Sequence, residues 1–197
     1  MSRTDEELVA SSLAGDPSAF DLLVLRWDRK IQGAIYRIMG SEEDARDLCQ
    51  EAFLKAYRGL GGFKGEARFS SWLYQISLNL CRDRMRRRRG RVMVSLDALD
   101  GDAQGAILRD EASTHDLVEA RDLQQRVRSA VMALPDDQRE VIVLKEYEGL
   151  TFQEIAEVLD LPVSTVKTRL YRGLDRMRER LVGQGVNAPV VSALGAR

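Results

Sequence analysis

Apolar residues recur along this chain three and four positions apart, the spacing of amphipathic helices. Phe20, Leu23, Val24, Trp27, Ile31, Ala34, Ile35 and Ile38 mark one long helix that runs to Gly40. Asp16-Pro17 opens it, an N-cap followed by proline at the first helical position. A shorter helix precedes it, started by the capping box Thr4/Glu7 and ended by Gly15. Ser41, followed by Glu42, Glu43 and Asp44, starts a third helix with acids at its positive end. Its inward stripe is Ala45, Leu48, Ala52, Phe53, Ala56 and Leu60. After a glycine-rich loop at 61–65, a fourth helix runs from about Ser70. Phe69, Trp72, Leu73, Ile76 and Leu80 form its inward stripe, and Tyr74, Gln75, Leu78 and Asn79 are left outside it.

Residues 92–115 lose this period and are rich in Asp, Gly and Ala. A structureless stretch of that length belongs between domains rather than inside one. The pattern resumes at 117–134 with Val127, Ala130, Val131 and Leu134. It restarts at Pro135-Asp136 with Val141, Ile142 and Leu144, and pauses at Gly149. Thr151 and Glu154 then form a second capping box, and Phe152, Ile155, Ala156 and Leu159 make one buried stripe. Asp160-Leu161-Pro162 breaks that helix, since proline disfavours helical geometry in the residue before it. On the helix that follows from Val163, Val166, Leu170, Leu174, Met177 and Leu181 share one sector. Thr165, Thr168, Arg169, Arg172 and Arg176 lie opposite. A short helix, a turn, and a helix with an apolar back and a Thr/Arg front describe a helix-turn-helix. The expected fold is therefore all-α: two small helical domains, 1–91 and 116–182, joined by a flexible acidic linker at 92–115. The C-terminal domain carries the helix-turn-helix, and a mobile tail occupies 183–197.

Charge adds a second layer. The net charge is only −1, but residues 82–91 hold seven arginines against one acid, and residues 95–122 hold eight acids against two arginines. The basic run suits phosphate contacts or a solvated helix end, and the aromatic and amide side chains directly upstream of it favour nucleic acid. Between 162 and 182 there are six basic and two acidic residues, and the bases alternate with Thr rather than with neutralising Glu. On the third helix Glu43, Asp47, Gln50, Glu51, Leu54 and Arg58 share one exposed sector, a partner surface or plain solvent face. No apolar run reaches the ~20 residues of a membrane span, and MSRTDEELV does not read as a signal peptide. Cys49 and Cys81 are expected to be reduced, half-buried thiols of a cytoplasmic protein. The lone histidine, His115, falls in the linker, and neither a nucleophile motif nor a metal-ligand cluster is present. The chain is thus expected not to be an enzyme, and to need no cofactor and no metal.

Three segments, in order, resemble a known family. DARDLCQEAFLKAYR, FKGEARFSSWLYQISLNLCRDRMRRRR and ALPDDQREVIVLKEYEGLTFQEIAEVLDLPVSTVKTRLYRG are similar to segments of the group-four bacterial sigma factors, the extracytoplasmic-function type. The likeness covers about 18–89 and 130–181. It implies a protein that joins core RNA polymerase and directs it to promoters, under the control of an anti-sigma factor. By resemblance, Asp47, Gln50, Glu51 and Leu54 grip the coiled coil of the polymerase β′ subunit, and the β flap is a second contact. The loop 63–69 holds a flipped base of the −10 element. The wider −10 set is Phe63, Lys64, Arg68, Phe69, Trp72, Tyr74, Gln75, Asn79, Arg82, Arg86 and Arg87. The −35 set is Ser164, Thr165, Lys167, Thr168, Arg169 and Arg172. Arg46 stands where the family usually has an acid, and Ser164 and Thr168 replace a commoner Gly and Ser. Two other readings compete: a sigma-like decoy that sequesters an anti-sigma factor, and a helix-turn-helix regulator acting without polymerase.

Overall fold

The computed structural model describes residues 3–65, 67–94 and 115–186, and these form helices without a strand. The N-terminal half is α1 (Asp5–Leu13), α2 (Pro17–Met39), α3 (Glu42–Gly59), a 3-10 turn (Leu60–Gly62) and α4 (Phe69–Val94). The C-terminal half is α5 (His115–Met132), α6 (Asp136–Ile142), a π turn (Val143–Tyr147), α7 (Phe152–Leu159) and α8 (Val163–Gly183). The helix starts are where the capping residues put them. Thr4 and Thr151 both form complete capping boxes with Glu7 and Glu154. The Asp16 carboxylate accepts from the Ser18 amide, and the Ser41 hydroxyl accepts from the Asp44 amide at 3.2 Å.

In the N-terminal half, α2, α3 and α4 pack side by side around Leu23, Ile31, Ile35, Leu48, Ala52, Phe69 and Leu73, all buried. In the C-terminal half, α8 lies across α5, α6 and α7 with Val166, Leu170, Met177 and Leu181 inward. Gly173 is where α8 crosses α6: a Cβ there would stand 3.1 Å from Ile142 Cγ1. The turn between α7 and α8 closes on Asp160 in the left-handed region (φ 53°), a conformation a short polar side chain tolerates.

The linker boundaries shift slightly. Helix α4 continues through residues 92–94, and α5 already starts at His115. Residues 95–114, which carry most of the expected acidic linker, lie outside the described residues. So does most of the expected tail. Its first residues are not loose, however. Gln184 closes α8, its carbonyl accepts from Arg126, and Val186 packs on the core.

The two halves do not stand apart. Their buried residues form one continuous cluster, with α4 against α7 and α2 against both α5 and the π turn. Gly40, the left-handed C-cap of α2 (φ 74°), lies under Met132 of α5, whose Cε would be 2.7 Å from an added Cβ. Arg139 of α6 donates to the Ile38 carbonyl at 2.9 Å, and Arg128 of α5 lies over the Tyr36 ring at 4.4 Å.

Candidate functional site

The exposed sector read from the third helix is present. Asp47, Gln50, Glu51 and Leu54 all face solvent on α3, opposite the buried Leu48, Ala52 and Ala56. Glu51 is tied to Lys55 one turn on, at 3.4 Å. Leu54 is 54% exposed, and Tyr57, a residue the sequence reading passed over, is equally exposed beside it. The Tyr57 ring stands edge-on to Phe20 of α2 at 5.0 Å, which holds it in place. A leucine and a tyrosine left bare on an acidic helix face cost solvation, and such a face is suited to a protein partner.

The second cluster surrounds the loop before α4. Gly62, Phe63, Lys64, Gly65, Ala67, Ser71, Trp72 and Gln75 line an open depression of about 230 Å³. Its floor is aromatic: Phe63 stacks tilted on Trp72 at 5.0 Å, and Phe69 stands 6.0 Å from Trp72. Flat apolar rings with amide and hydroxyl groups at the rim are what an unstacked base requires. Phe69 itself is a correction: it is wholly buried, so it shapes the floor from beneath and does not reach the surface. Tyr74 is a second correction. The sequence left it and Leu78 on the outer face of α4, yet each is 2% exposed. Helix α4 is buried on both sides, by α2 and α3 on one and by the C-terminal half on the other. Asn79 remains exposed.

The arginine run of α4 is divided among partners. Arg84 and Arg88 reach back to the buried Asp44 at the start of α3, each at 2.5 Å. They clamp α4 to α3. Arg82 makes a forked pair with Glu140 of α6 at 2.8 and 2.6 Å, and this carboxylate raises the Arg82 pKa further. Arg89 pairs with Asp136, and Arg68 with Glu154 at 2.7 Å. Among the described residues, Arg86 pairs with its neighbour Asp83 at 3.4 Å, and Arg87 is exposed with no carboxylate partner. Of the four arginines in the expected −10 set, Arg86 and Arg87 are available, and Arg68 and Arg82 are engaged.

On α8 the front is largely as read. Ser164, Lys167, Thr168 and Arg172 are exposed, and Thr165 is half-buried. The Thr168 hydroxyl donates to the Ser164 carbonyl at 2.9 Å, one turn back. Lys167 lies over the Phe152 ring at 5.4 Å. Arg169 is the exception: it leans onto Asp137 of α6 at 3.3 Å and is held inside its own domain. Tyr171, 58% exposed beside Arg172, was missed because its tyrosine ring reads as apolar on a helical wheel.

Neither cysteine is a reactive site. Burial pushes both thiols up to about 12, with Asp28 adding to the effect at Cys49 and Glu140 at Cys81. No group of His, Cys, Asp and Glu that could hold a metal occurs among the described residues. No described helix is long and apolar enough to cross a membrane.

Two family models match: Sigma-70 region 2 over residues 23–91, and Sigma-70 region 4 over residues 124–177. The RNA polymerase sigma-H factor of Pseudomonas aeruginosa is 36% identical over 90% of this chain and 93% of its own length. The chain belongs to the extracytoplasmic-function sigma factors. The ECF RNA polymerase sigma-E factor of Escherichia coli is 35% identical over 90% of this chain and 94% of its own. Among solved structures, CnrH bound to the cytosolic domain of CnrY has a TM-score of 0.68 at 28% identity, covering 91% of this chain and 97% of that one. The sigma factor RpoE of Bartonella quintana, solved with the anti-sigma factor NepR, has the same TM-score at 25% identity, covering 82% and 96%.

In this sigma factor the region 2 match takes in the bare face of α3, the aromatic depression and the arginine run. The region 4 match takes in α6, α7 and the front of α8. Each family segment therefore holds at least one of the surfaces described above. The acids Asp136, Glu140, Glu148 and Glu154 all lie in region 4 and all contact region 2. The sequence had no signal for these contacts, because each acid acquires its partner only across the fold.

Proposed function

We propose that this sigma factor joins core RNA polymerase and directs initiation at promoters with −35 and −10 elements. The α3 face of Asp47, Gln50, Glu51, Leu54 and Tyr57 docks on the polymerase. The front of α8 enters the major groove, where Arg172 and Lys167 can read base edges and Ser164 and Thr168 contact bases or backbone. The aromatic depression takes an extruded base of the −10 strand, and Arg86 and Arg87 hold its phosphates. Capturing that base offsets part of the unstacking cost, a few kcal/mol per step. The protein lends recognition and positioning, and the bond-making chemistry is the polymerase's. Two structural relatives were solved with a second protein, in one case named an anti-sigma factor, and a partner of that kind acting on this chain in the cytoplasm is part of the reading.

The observation that carries the proposal is the pairing of two unlike surfaces in one chain. A groove-reading helix alone would suit a free-standing regulator. A bare Leu54/Tyr57 face on the other half gives a protein partner a place to dock.

The test is run-off transcription with core polymerase on a promoter library. Arg172→Ala is expected to weaken and relax −35 selection by about 1–3 kcal/mol. Arg169→Ala is expected to cost far less, since Asp137 already holds that side chain. The double variant Asp47→Ala/Gln50→Ala keeps the fold and loses the polymerase. Unchanged polymerase binding by that variant would remove α3 from the mechanism.

A further inference from the structure

One aromatic ring, that of Phe152, carries two ammonium groups. Lys145 Nζ of the π turn lies 4.9 Å from the ring centroid, and Lys167 Nζ of α8 lies 5.4 Å from it. Both fall within the ~6 Å over which the negative face of a ring attracts a cation. Local chemistry places the ring. Thr151 caps α7 and closes its box with Glu154, so Phe152 is the first residue of the helix, half-buried against the core. Glu154 accepts from the Thr151 amide and hydroxyl through one oxygen and from Arg68 through the other, so it is not left to draw Lys167 aside.

The two lysines differ in freedom. Lys145 is half-buried and donates to the Leu150 carbonyl at 3.1 Å, which tethers it. Lys167 is exposed, and among the described residues no carboxylate pairs with it. Its charge rides on a flexible four-carbon stem, and the Phe152 ring gives that charge a seat. Like charges on one ring repel, so the tethered Lys145 turns the free ammonium away from the π turn. Lys167 also precedes Arg172 by five residues, about 7.5 Å along α8. At about 3.4 Å per step of duplex the two cations meet different base pairs.

We propose that Phe152 is a positioning residue: its ring fixes the Lys167 ammonium beside α8 and so sets a preference for guanine at one position of the −35 element, apart from the base that Arg172 meets. The inference rests on the major-groove reading of α8 above and adds a residue outside its −35 set. Guanine offers two acceptors, O6 and N7, in the major groove, which suits a lysine donor. An ammonium seated beforehand loses less freedom on docking than a free one. Without the ring Lys167 keeps its charge and still attracts phosphate, but it no longer favours one base.

The test uses the full chain bound to core polymerase, titrated against promoters in which every −35 position carries each base in turn. The variants are Lys167→Met, Phe152→Leu, Phe152→Tyr, and the chain with a trifluorinated phenylalanine in place of Phe152, which keeps the ring's shape and empties its face of negative charge. Lys167→Met is expected to reduce the preference for guanine at one position by at least about fivefold. Phe152→Leu and the fluorinated ring are expected to lower the same preference about two- to fivefold, while Phe152→Tyr keeps it. In the Lys167→Met background neither should change it further. A merely structural role for the ring would fall on all positions alike and would not follow the fluorine. Should Phe152→Leu not fold, the fluorinated chain decides. Parental base selection by the fluorinated chain overturns the proposal and leaves the α8 assignment standing. A uniform loss across all promoters in Lys167→Met, with a shallower salt dependence, makes Lys167 a phosphate contact and overturns it too. If Lys167→Met and Arg172→Ala both leave every −35 position unchanged, the groove reading itself fails, and this inference with it.

Discussion

Replacing Arg139 by methionine keeps most of the side chain's length and removes its five donors. The guanidinium is 10% exposed and serves four backbone carbonyls: Val131 at 3.3 Å, Met132 and Leu134 at 2.7 Å, and Ile38 at 2.9 Å. Val131 and Met132 end α5, whose last carbonyls have no helical partner, and Leu134 lies in the turn that follows. The fourth belongs to α2, in the other half. A buried acceptor stripped of its donor costs about 1–3 kcal/mol, and carbonyls near helix ends, which water can partly reach, fall at the low end. Val131 keeps the Leu134 amide as a donor, so three at roughly 1 kcal/mol each give about 3 kcal/mol. Against this, methionine no longer buries a charge. Burial lowers the Arg139 pKa despite the nearby Asp136, so the folded state does carry that desolvation cost. Relief of about 1–2 kcal/mol leaves a net loss of about 1–2 kcal/mol. For a unit of this size that is a fall in Tm of roughly 2–8 °C. Arg139→Lys should recover only part of it, because one ammonium cannot span acceptors spread over two helices. The assay is thermal unfolding followed by circular dichroism. Because Ile38 and Leu134 lie in different halves, the methionine variant should also melt in two steps if the parent melts in one. A methionine variant within about 0.5 kcal/mol of the parent, melting in one step, would refute the assignment of Arg139 as a stitch between the halves.

Asp44→Asn should destabilise the N-terminal half by about 1.5–3 kcal/mol, since it releases both Arg84 and Arg88 from one buried carboxylate. Urea unfolding checks this, and the loss should shrink in Arg84→Ala/Arg88→Ala, where nothing is left to release. With both thiols at about 12, Cys49 and Cys81 should resist a thiol-specific disulfide reagent at pH 8 until denaturant is added. Fast labelling of the native protein would contradict their burial. Burial raises the Glu148 pKa above 4.5, more than the Tyr74 hydrogen bond and Arg37 lower it. Its contribution is fully present below pH 4.5 and is lost as pH rises through the folded value. Glu154 has the opposite sign: backbone and side-chain bonds to Thr151 lower its pKa, so its contribution is present above 4.5 and is lost as pH falls through its folded value. In a series of Tm against pH, Glu148→Gln should therefore steepen the decline on acidification, by removing the term that opposes it.

The starts of α1, α2, α3 and α7, and the buried stripes of α2, α3 and α8, were legible in order because capping and helical period are local signals. Thr151 and Glu154 sit three residues apart, and their hydrogen bonds need nothing beyond that turn. Asp47, Gln50, Glu51 and Leu54 were legible for the same reason: among the described residues nothing packs over that face of α3, so the wheel and the exposure agree. The front of α8 was legible except at Arg169, which a carboxylate from another helix draws aside.

The tertiary structure alone decided what happens on α4. A helical wheel divides a helix into one inward and one outward side, and α4 has two inward sides. Tyr74 and Leu78 are buried because a second group of helices, far away in sequence, lands on the side that one domain would leave wet. The fate of the arginines turned on the same event. Seven neighbours of one type cannot be told apart by composition, and only the acid that each one meets separates Arg84 and Arg88, which clamp α3, from Arg82 and Arg89, which hold the C-terminal half. Local chemistry sets where helices begin and which stripe is apolar. Long-range contact sets which charges remain available for a partner.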